Sequence, residues 1–206
     1  MAVTIGLQVI PQHGDYEPMK RAWLEADELG VDRIYNWDHF YPLSGDPEGK
    51  HFESLTIQAA MAAVTKRAEI SSLVICNSYR NPQLLADMAR TIDHISGGRF
   101  VLGIGSGWNR REFDAFGFPY DRRVSRFEEA LAIIAPLLRE GRTTFHGQFY
   151  DVDDCVLDPR PVRDGGPPIR IGMRRSGGGF SFSQRALMIG RSRSRLRSRL
   201  PAVPNS

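Results

Sequence analysis

Two kinds of apolar segment alternate along the first 172 residues of this 206-residue chain. Short runs rich in β-branched residues, typical of strands, precede longer segments whose apolar residues recur at helical spacing. The predicted strands cover residues 4–10, 33–37, 70–76, 100–104 and 169–172. The predicted helices begin near Asp15, Ser54, Asn81 and Ser125, the last at a Ser-x-x-Glu capping box, and a hairpin is predicted over 143–156. Strand–helix units of about 30 residues predict a parallel sheet.

Two parallel arrangements fit this alternation when the crossovers are right-handed. One is an open doubly wound sheet, and the other is part of a (β/α)8 barrel. A complete barrel takes about 250 residues, so five strands in 172 residues are just over half of one. The open sheet is the less favoured alternative, because no G-x-G-x-x-G motif follows the first predicted strand.

The predicted strand over 100–104 runs into a glycine-punctuated loop, Gly105-Ser106-Gly107, followed by Trp108. Glycine lets backbone approach a neighbouring group closely. In parallel α/β folds, ligands bind at the carboxyl ends of the strands. The loop therefore indicates the centre of a ligand site, although a tight strand-to-helix turn without a ligand would show the same glycines.

Charge is divided unevenly between the body and the end of the chain. Eight of the 27 Lys and Arg residues lie beyond residue 172, where there is no Asp or Glu, so residues 1–172 carry a net charge of −5. A body of that sign argues against nucleic acid as a specific partner. No apolar run approaches the roughly 20 residues of a membrane span, the first residues form a strand rather than a signal peptide, and two cysteines without zinc or disulfide spacing favour a cytoplasmic protein.

Residues 173–206 differ abruptly in composition from the body, being rich in arginine, serine and glycine. Three interpretations are open: a disordered basic tail, an arginine–serine segment that binds RNA or an acidic surface, and a reading-frame change or truncation near Met173, which we favour. We expect no sixth strand and helix of the earlier kind in this tail, and poor packing of its residues. The predicted domain boundary thus lies at residue 172.

Several short motifs occur in a fixed order along the body. They are Trp37-Asp38-His39-Phe40, Asn77-x-Tyr79-Arg80-Asn81-Pro82, Ser96-Gly-Gly-Arg99, Leu102-Gly-Ile-Gly-Ser-Gly-Trp108, Gly147-x-Phe149-Tyr150 and Pro167-Pro168-Ile-x-Ile-Gly172. In their order and spacing, residues 4–172 resemble the luciferase-like monooxygenase superfamily, particularly its oxidoreductases that depend on the deazaflavin coenzyme F420. The resemblance implies an α/β fold: a partial TIM-type barrel with the cofactor at the carboxyl ends of the strands.

The resemblance also implies roles for individual residues. His39 is the predicted catalytic residue, as a proton donor or substrate orienter. A cis peptide or bulge at Leu73-Val74 would support the cofactor ring from behind, and a Gly107→Val side chain would enter the space of that ring. Arg80 would anchor its loop. The predicted cofactor-binding residues are Asp38, Leu73, Val74, Asn77, Gly105, Ser106, Gly107 and Trp108.

The function implied by the resemblance is hydride transfer between coenzyme F420 and a small organic substrate. The alternatives are an FMN-dependent monooxygenase and a non-catalytic fragment of such an enzyme. Trp108 stands where sugar-phosphate dehydrogenases of the family carry a glutamate base, which disfavours that substrate class. Predicted partners are a small-molecule substrate and a second copy of the chain. Because Met173-Arg-Arg follows Gly172 in place of the family's glycine run, and no strands six to eight are predicted, we expect weak or undetectable cofactor binding by this chain.

Overall fold

The computed structural model describes residues 3–174 and 180–183 as an α/β protein. The strands are β1 (Gly6–Gln8), β2 (Arg33–Asn36), β3 (Glu69–Ser72), β4 (Ile75–Cys76), β5 (Leu102–Gly105), β6 (Arg142–His146), β7 (Asp151–Val156), β8 (Ile169–Arg174) and β9 (Phe180–Ser183). The helices are α1 (Tyr16–Glu28), α2 (Ser54–Val64), α3 (Pro82–Ile95), α4 (Arg110–Phe116) and α5 (Arg123–Glu140), with a short 3-10 turn at Asn77–Tyr79.

Strands β1 to β5 and β8 pair in parallel, and their spatial order follows the order of the chain. β1 pairs with β2 and β2 with β3, while β4 pairs with β5 and β5 with β8, all in parallel. A bridge between Ile70 and Phe100 joins the two groups of strands. A doubly wound sheet reverses its strand order at a switch point, and no reversal occurs among these strands. The arrangement is therefore the partial TIM-type barrel, with its first five strand positions filled.

One predicted strand, over 70–76, is two strands in the structure. β3 pairs with β2 and β4 pairs with β5, so the two halves have different neighbours. Between them the Leu73–Val74 peptide bond is cis. The apolar run Leu73-Val-Ile-Cys76 spans this break, which is why periodicity alone predicts a single strand.

The helices form one layer on the outside of the sheet. α1 contacts α2, α2 contacts α3, and α3 contacts α5. The larger of two clusters of buried side chains lies between helices and strands, with Trp23, Met61, Leu85, Leu102 and Ile133 fully buried within it. Burying each such side chain contributes about 1.5–3 kcal/mol. Within the described part of the chain, no helix is long and apolar enough to cross a membrane.

Side-chain caps set the starts of two helices. Asn81 accepts from the backbone N–H groups of Gln83 and Leu84, with Pro82 in the first turn, as the sequence predicts. Glu53 accepts from the N–H groups of Leu55 and Thr56 at the start of α2. The capping box predicted for the last long helix is wrong. α5 begins at Arg123 rather than at Ser125, because tertiary contacts of Arg123 described below fix the chain there.

The predicted hairpin over 143–156 is present as the antiparallel pair β6 and β7. Its turn is attached to α5 by one side chain: the Glu129 carboxylate accepts from the N–H groups of Gln148, Phe149 and Tyr150 at 2.8–3.2 Å. A carboxylate with three backbone donors is a strong local anchor. The hairpin thus stays against the outer helix layer.

Strand pairing extends a short way beyond residue 172. β8 continues to Arg174, and β9 pairs with it in antiparallel fashion. β9 is an antiparallel strand and not a further parallel strand–helix unit. It pairs with β8 because a sheet edge offers free backbone donors and acceptors to a following segment. The alternation Phe-Ser-Phe-Ser at 180–183 is the overlooked strand signal. The rest of the predicted tail lies outside the described residues.

A buried carboxylate secures the connection from α2 to β3. Asp27 accepts from the N–H groups of Lys66, Arg67 and Ala68 at 2.7–3.0 Å. Arg99 meets the same connection from the other side and donates to the carbonyls of Ala62, Thr65 and Ala68. Burial raises the pKa of Asp27, but the three backbone hydrogen bonds outweigh it, so the pKa lies below its usual value.

We expect Asp27→Asn to lower the free energy of unfolding by about 1–3 kcal/mol, because one amide oxygen replaces two acceptors and leaves a backbone N–H unpaired. Urea unfolding at neutral pH measures the loss. The matched control is Glu28→Gln, the same change at the exposed neighbouring position, which should stay near wild type. Equal effects of the two changes would contradict the role given to Asp27.

Candidate functional site

The residues that follow β2, β4 and β5 meet at one edge of the sheet. The backbone N–H of Cys76 donates to Asp38 Oδ2 at 2.7 Å, and Cys76 is the register partner of Gly105. Parallel strands bring their carboxyl ends to the same edge. The prediction that Asp38, Asn77 and Gly105 converge at one edge of the sheet is confirmed. This edge is called the rim below.

Asp38 is fully buried and its carboxylate is occupied by protein groups. Arg80 donates to both carboxylate oxygens, at 2.6 and 2.8 Å, and also pairs with Glu53 at the start of α2. The side chains of Asp38 and Arg80 are 0% and 8% exposed. Burial alone would lower the pKa of Arg80, but the two carboxylates have the larger effect and hold the pKa above its ordinary value. Arg80 therefore anchors its loop, and Asp38 holds the rim together.

His39 lies between two tryptophans on this rim. Its ring centroid is 5.6 Å from that of Trp37 and 5.6 Å from that of Trp108, with both pairs edge-on. Its Nδ1 is 2.8 Å from Glu112 Oε2, and no described residue bonds to its Nε2. The ring is thus held by one nitrogen, and the other is available to a ligand.

Glu112, in the first turn of α4, is the residue that the sequence analysis missed. Its side chain is 0% exposed, and it accepts from the N–H groups of Phe40 and Tyr41 and from the Tyr79 hydroxyl. Burial raises the pKa of Glu112, but hydrogen bonds from His39, Tyr79 and Phe40 outweigh it and keep the pKa below its usual value. Its only sequence signal is its place in the helix that follows the glycine loop.

A second histidine supports the first tryptophan. Trp37 Nε1–H donates to His51 Nε2 at 3.1 Å, so His51 carries its proton on Nδ1. Burial, together with the nearby His39 ring, lowers the pKa of His51 to about 4. At neutral pH His51 is therefore an uncharged hydrogen-bond acceptor, which fixes the plane of Trp37.

The glycines of the loop fit against protein groups. A Cβ at Gly105 would lie 2.9 Å from Val74 Cγ2, and one at Gly172 would lie 2.5 Å from Val74 Cγ1. Gly107 has φ +73°, and its Cβ would overlap Cys76 Sγ and approach the Phe113 ring at 3.0 Å. The expectation that a side chain at 107 would enter ligand space is wrong. That side chain would collide with the protein itself.

Two residues beyond α4 hold the loop from outside. Arg123 donates to the Gly107 carbonyl at 2.8 Å and stacks on the Tyr120 ring, while the Tyr120 hydroxyl donates to the Trp108 carbonyl at 3.3 Å. The backbone of Trp108 is thereby fixed, while the residue as a whole is 52% exposed. A fixed, exposed aromatic next to His39 is suited to contact a planar ligand.

Of the other predicted site residues, Asn77 is fully buried in the 3-10 turn. Its amide oxygen and nitrogen make no hydrogen bond of ordinary geometry with a described residue. Tyr150 lies near it: burial raises the pKa of the Tyr150 hydroxyl, and the Asn77 amide partly offsets that effect. Leu73, Val74 and Ser106 are partly exposed at the same rim. Over residues 3–174, no cluster of His, Cys, Asp and Glu side chains is arranged to hold a metal ion.

Fold and rim together define an α/β barrel-type protein with its site at the carboxyl ends of parallel strands. The sequence profile of the luciferase-like monooxygenase family matches residues 3–175. The chain belongs to the luciferase-like monooxygenase family.

Individual relatives agree with this assignment. The chain is 36% identical over 155 residues to the pyrimidine monooxygenase RutA of Methylorubrum extorquens, covering 71% of this chain and 42% of that protein. Among solved structures it is similar to the monooxygenase RslO1 of Streptomyces bottropensis, with TM-score 0.72, 25% identity, and coverage of 82% of this chain and 53% of that one.

An F420-dependent secondary alcohol dehydrogenase is similar in fold, with TM-score 0.74, 22% identity, and coverage of 83% of this chain and 52% of that one. The chain therefore spans about two-fifths of the length of the curated relatives it matches and about half of the solved structures.

We expect Gly107→Ala to destabilise the protein by about 2–4 kcal/mol without any ligand, the sum of the left-handed backbone and an overpacked side chain. Thermal and urea unfolding measure the loss. Gly117→Ala is the matched control, since Gly117 has nearly the same φ, +72°, with nothing within 4 Å of its Cβ position. A loss at 107 no larger than at 117 would show that the contact with Cys76 and Phe113 is unimportant.

We expect the stability of the protein to fall as the pH drops from about 6.5 to about 4, partly because of His51. Its folded pKa, about 4, is below the unfolded value, so the unfolded chain binds the extra proton in this window. His51→Gln should make the dependence of unfolding free energy on pH shallower there, while its amide oxygen still accepts from Trp37. His146→Gln, at an exposed histidine, is the control, and an unchanged slope for His51→Gln would refute this assignment.

Proposed function

We propose that this chain supplies the cofactor-facing rim and the proton-exchanging histidine of an oxidoreductase that uses a flavin-type cofactor. The observation that carries the proposal is the setting of His39. Its ring is wedged between Trp37 and Trp108, its Nδ1 is bound to a buried carboxylate, and its Nε2 is left available. A histidine with one nitrogen fixed and one free is suited to general acid–base catalysis.

The residues of the rim fit a planar ring system. Trp108 offers an exposed aromatic edge, and its backbone is fixed by the contacts of Tyr120 and Arg123. Leu73 and Val74 would support the ring from behind, with the backbone of Gly105, Ser106 and Gly107 along its edge. Asn77, whose buried amide makes no hydrogen bond of ordinary geometry with a described residue, would meet a polar group of the cofactor. Asp38 would act indirectly, by holding Cys76 and Arg80.

We further propose FMN as the cofactor and monooxygenation of a small organic molecule as the reaction. The relatives of 25% identity or more reported above are named monooxygenases, and one is named for pyrimidines. When bound, reduced FMN would supply the electrons that activate oxygen. His39 Nε2 would give or take a proton at the substrate, while Trp37 and Trp108 keep water from the His39 ring. A pyrimidine such as uracil is the first substrate to test.

Hydride transfer between coenzyme F420 and a small organic substrate is the second candidate. It is favoured by the order and spacing of the motifs in residues 4–172, which resemble the F420-dependent branch. His39 would then protonate or deprotonate the substrate oxygen as the hydride moves. The two candidates share the same rim and differ in cofactor, so binding of the cofactor separates them.

We expect fluorescence titration of the 206-residue chain to show binding of FMN in preference to F420, and weakening by Trp108→Ala of about 3- to 10-fold, the loss of one aromatic contact. Leu29→Ala removes another exposed apolar side chain, at the amino ends of the strands, and is the control. His39→Gln should leave the cofactor affinity within about 3-fold but lower turnover by about 100-fold or more.

Preference for F420 would transfer the assignment to the second candidate. Failure to bind either cofactor, by the chain alone and by the chain extended with the carboxyl-terminal half of a relative, would contradict the proposed function. A Trp108→Ala effect equal to that of Leu29→Ala would place the cofactor elsewhere than on this rim.

A further inference from the structure

We propose that Glu112 is a positioning residue that keeps the proton of the neutral His39 ring on Nδ1, so that Nε2 is the nitrogen that exchanges a proton with a ligand. The use of Nε2 by a ligand rests on the proposed function. The position of the proton does not, because it follows from hydrogen bonds within the described chain.

The argument starts from the donors around the Glu112 carboxylate. Oε1 is 2.6 Å from the backbone nitrogen of Phe40 and 3.2 Å from that of Tyr41. Oε2 is 2.7 Å from the Tyr79 hydroxyl and 2.8 Å from His39 Nδ1. Backbone N–H groups can only donate, so Oε1 carries no proton of its own toward them. An ionised carboxylate is an acceptor at every position, and His39 Nδ1 must then be the donor.

Several contacts favour the ionised form of this carboxylate. Three donors besides His39 point at it, and a carboxylate with two or three such bonds is stabilised in its charged state. Among the described residues no Lys or Arg pairs with it, and His39 is its one partner that can carry a positive charge. His51, the other titratable ring near this pair, accepts from Trp37 and is uncharged at neutral pH. The charge on Glu112 is therefore matched by hydrogen bonds and by the His39 ring.

The same carboxylate also fixes where the ring sits. Phe40 and Tyr41 directly follow His39, so Glu112 holds both the histidine ring and the backbone beyond it. Through Tyr79 it is joined to the turn after β4, and through its own helix to the glycine loop that carries Trp108. One buried group thus sets the orientation of His39 relative to the other elements of the rim.

The test is the protonation of the His39 ring nitrogens, measured by long-range ¹H–¹⁵N NMR on the ¹⁵N-labelled 206-residue chain without cofactor. Nitrogens that carry a proton and those that do not have well-separated ¹⁵N shifts. The signals are assigned by their absence in His39→Gln, and spectra are taken above the pH at which the ring loses its charge. In the wild type we expect the proton on Nδ1.

Glu112→Gln should move that proton to Nε2. Its amide oxygen can still accept from Phe40 and Tyr41, while its NH₂ group faces His39 and donates to Nδ1. Tyr79→Phe is the matched control: it removes the other donor to Oε2 and keeps the carboxylate, so the proton should stay on Nδ1. A wild-type ring with its proton on Nε2, or an unchanged proton position in Glu112→Gln, would overturn the proposal. If Glu112→Gln does not fold, the wild-type spectrum alone still decides.

Kinetics give a second readout that a merely structural role would not produce. In the cofactor-loaded enzyme, Glu112→Gln should lower kcat on the order of 10²-fold or more with little change in KM, and Glu112→Asp should restore part of it. A loss confined to KM would contradict the positioning role. Failure of cofactor binding with the proton found on Nδ1 would count against the proposed function and leave the role of Glu112 standing.

Discussion

The ion pair between Asp38 and Arg80 is the interaction on which the rest of the rim depends. Asp38 stands between Trp37 and His39 in the sequence, so fixing its carboxylate fixes the backbone that carries these two rings. The same carboxylate accepts from the backbone of Cys76, and Arg80 continues to Glu53 at the start of α2. Three segments that are distant in sequence are thereby joined. Leaving either charge buried without its partner costs about 3–5 kcal/mol, so the rim has one strongly preferred arrangement.

A second buried carboxylate holds the histidine of the candidate site on this frame. Glu112 reaches His39 across 73 residues of sequence, and its helix begins just after the loop that carries Trp108. The two carboxylates have different partners. Asp38 binds the Cys76 backbone and the Arg80 side chain, and Glu112 binds the His39 ring. Neither is free for a ligand, and the surface left for one includes ring edges, backbone, the Leu73 and Val74 side chains and the Nε2 atom of His39. That composition suits a flat redox cofactor better than a charged metabolite.

Much of this architecture could be predicted from sequence because it depends on local periodicity. The strands, the long helices, the hairpin and the cap at Asn81 follow from apolar spacing and turn residues, and so does the meeting of Asp38 with Gly105 once the strands are parallel.

What could not be predicted depends on contacts between distant residues. Glu112 reads as an ordinary acidic residue in a first helical turn, Gly107 as a ligand-facing glycine, and Ser125 as a cap, until Cys76, Phe113 and Arg123 are placed around them. The break in the strand over 70–76 and the pairing of β9 likewise depend on neighbouring strands.

The central claim is that a cofactor ring lies against His39 and Trp108, and mapping the ligand contact tests it most directly. Titrating the ¹⁵N-labelled chain with FMN should shift the indole N–H signal of Trp108 and the ring signals of His39 together, with one apparent Kd. The indole signal of Trp23, which is fully buried in the core, should not move. Shifts confined to residues away from the rim, such as the hairpin of β6 and β7, with His39 and Trp108 unchanged, would contradict the account.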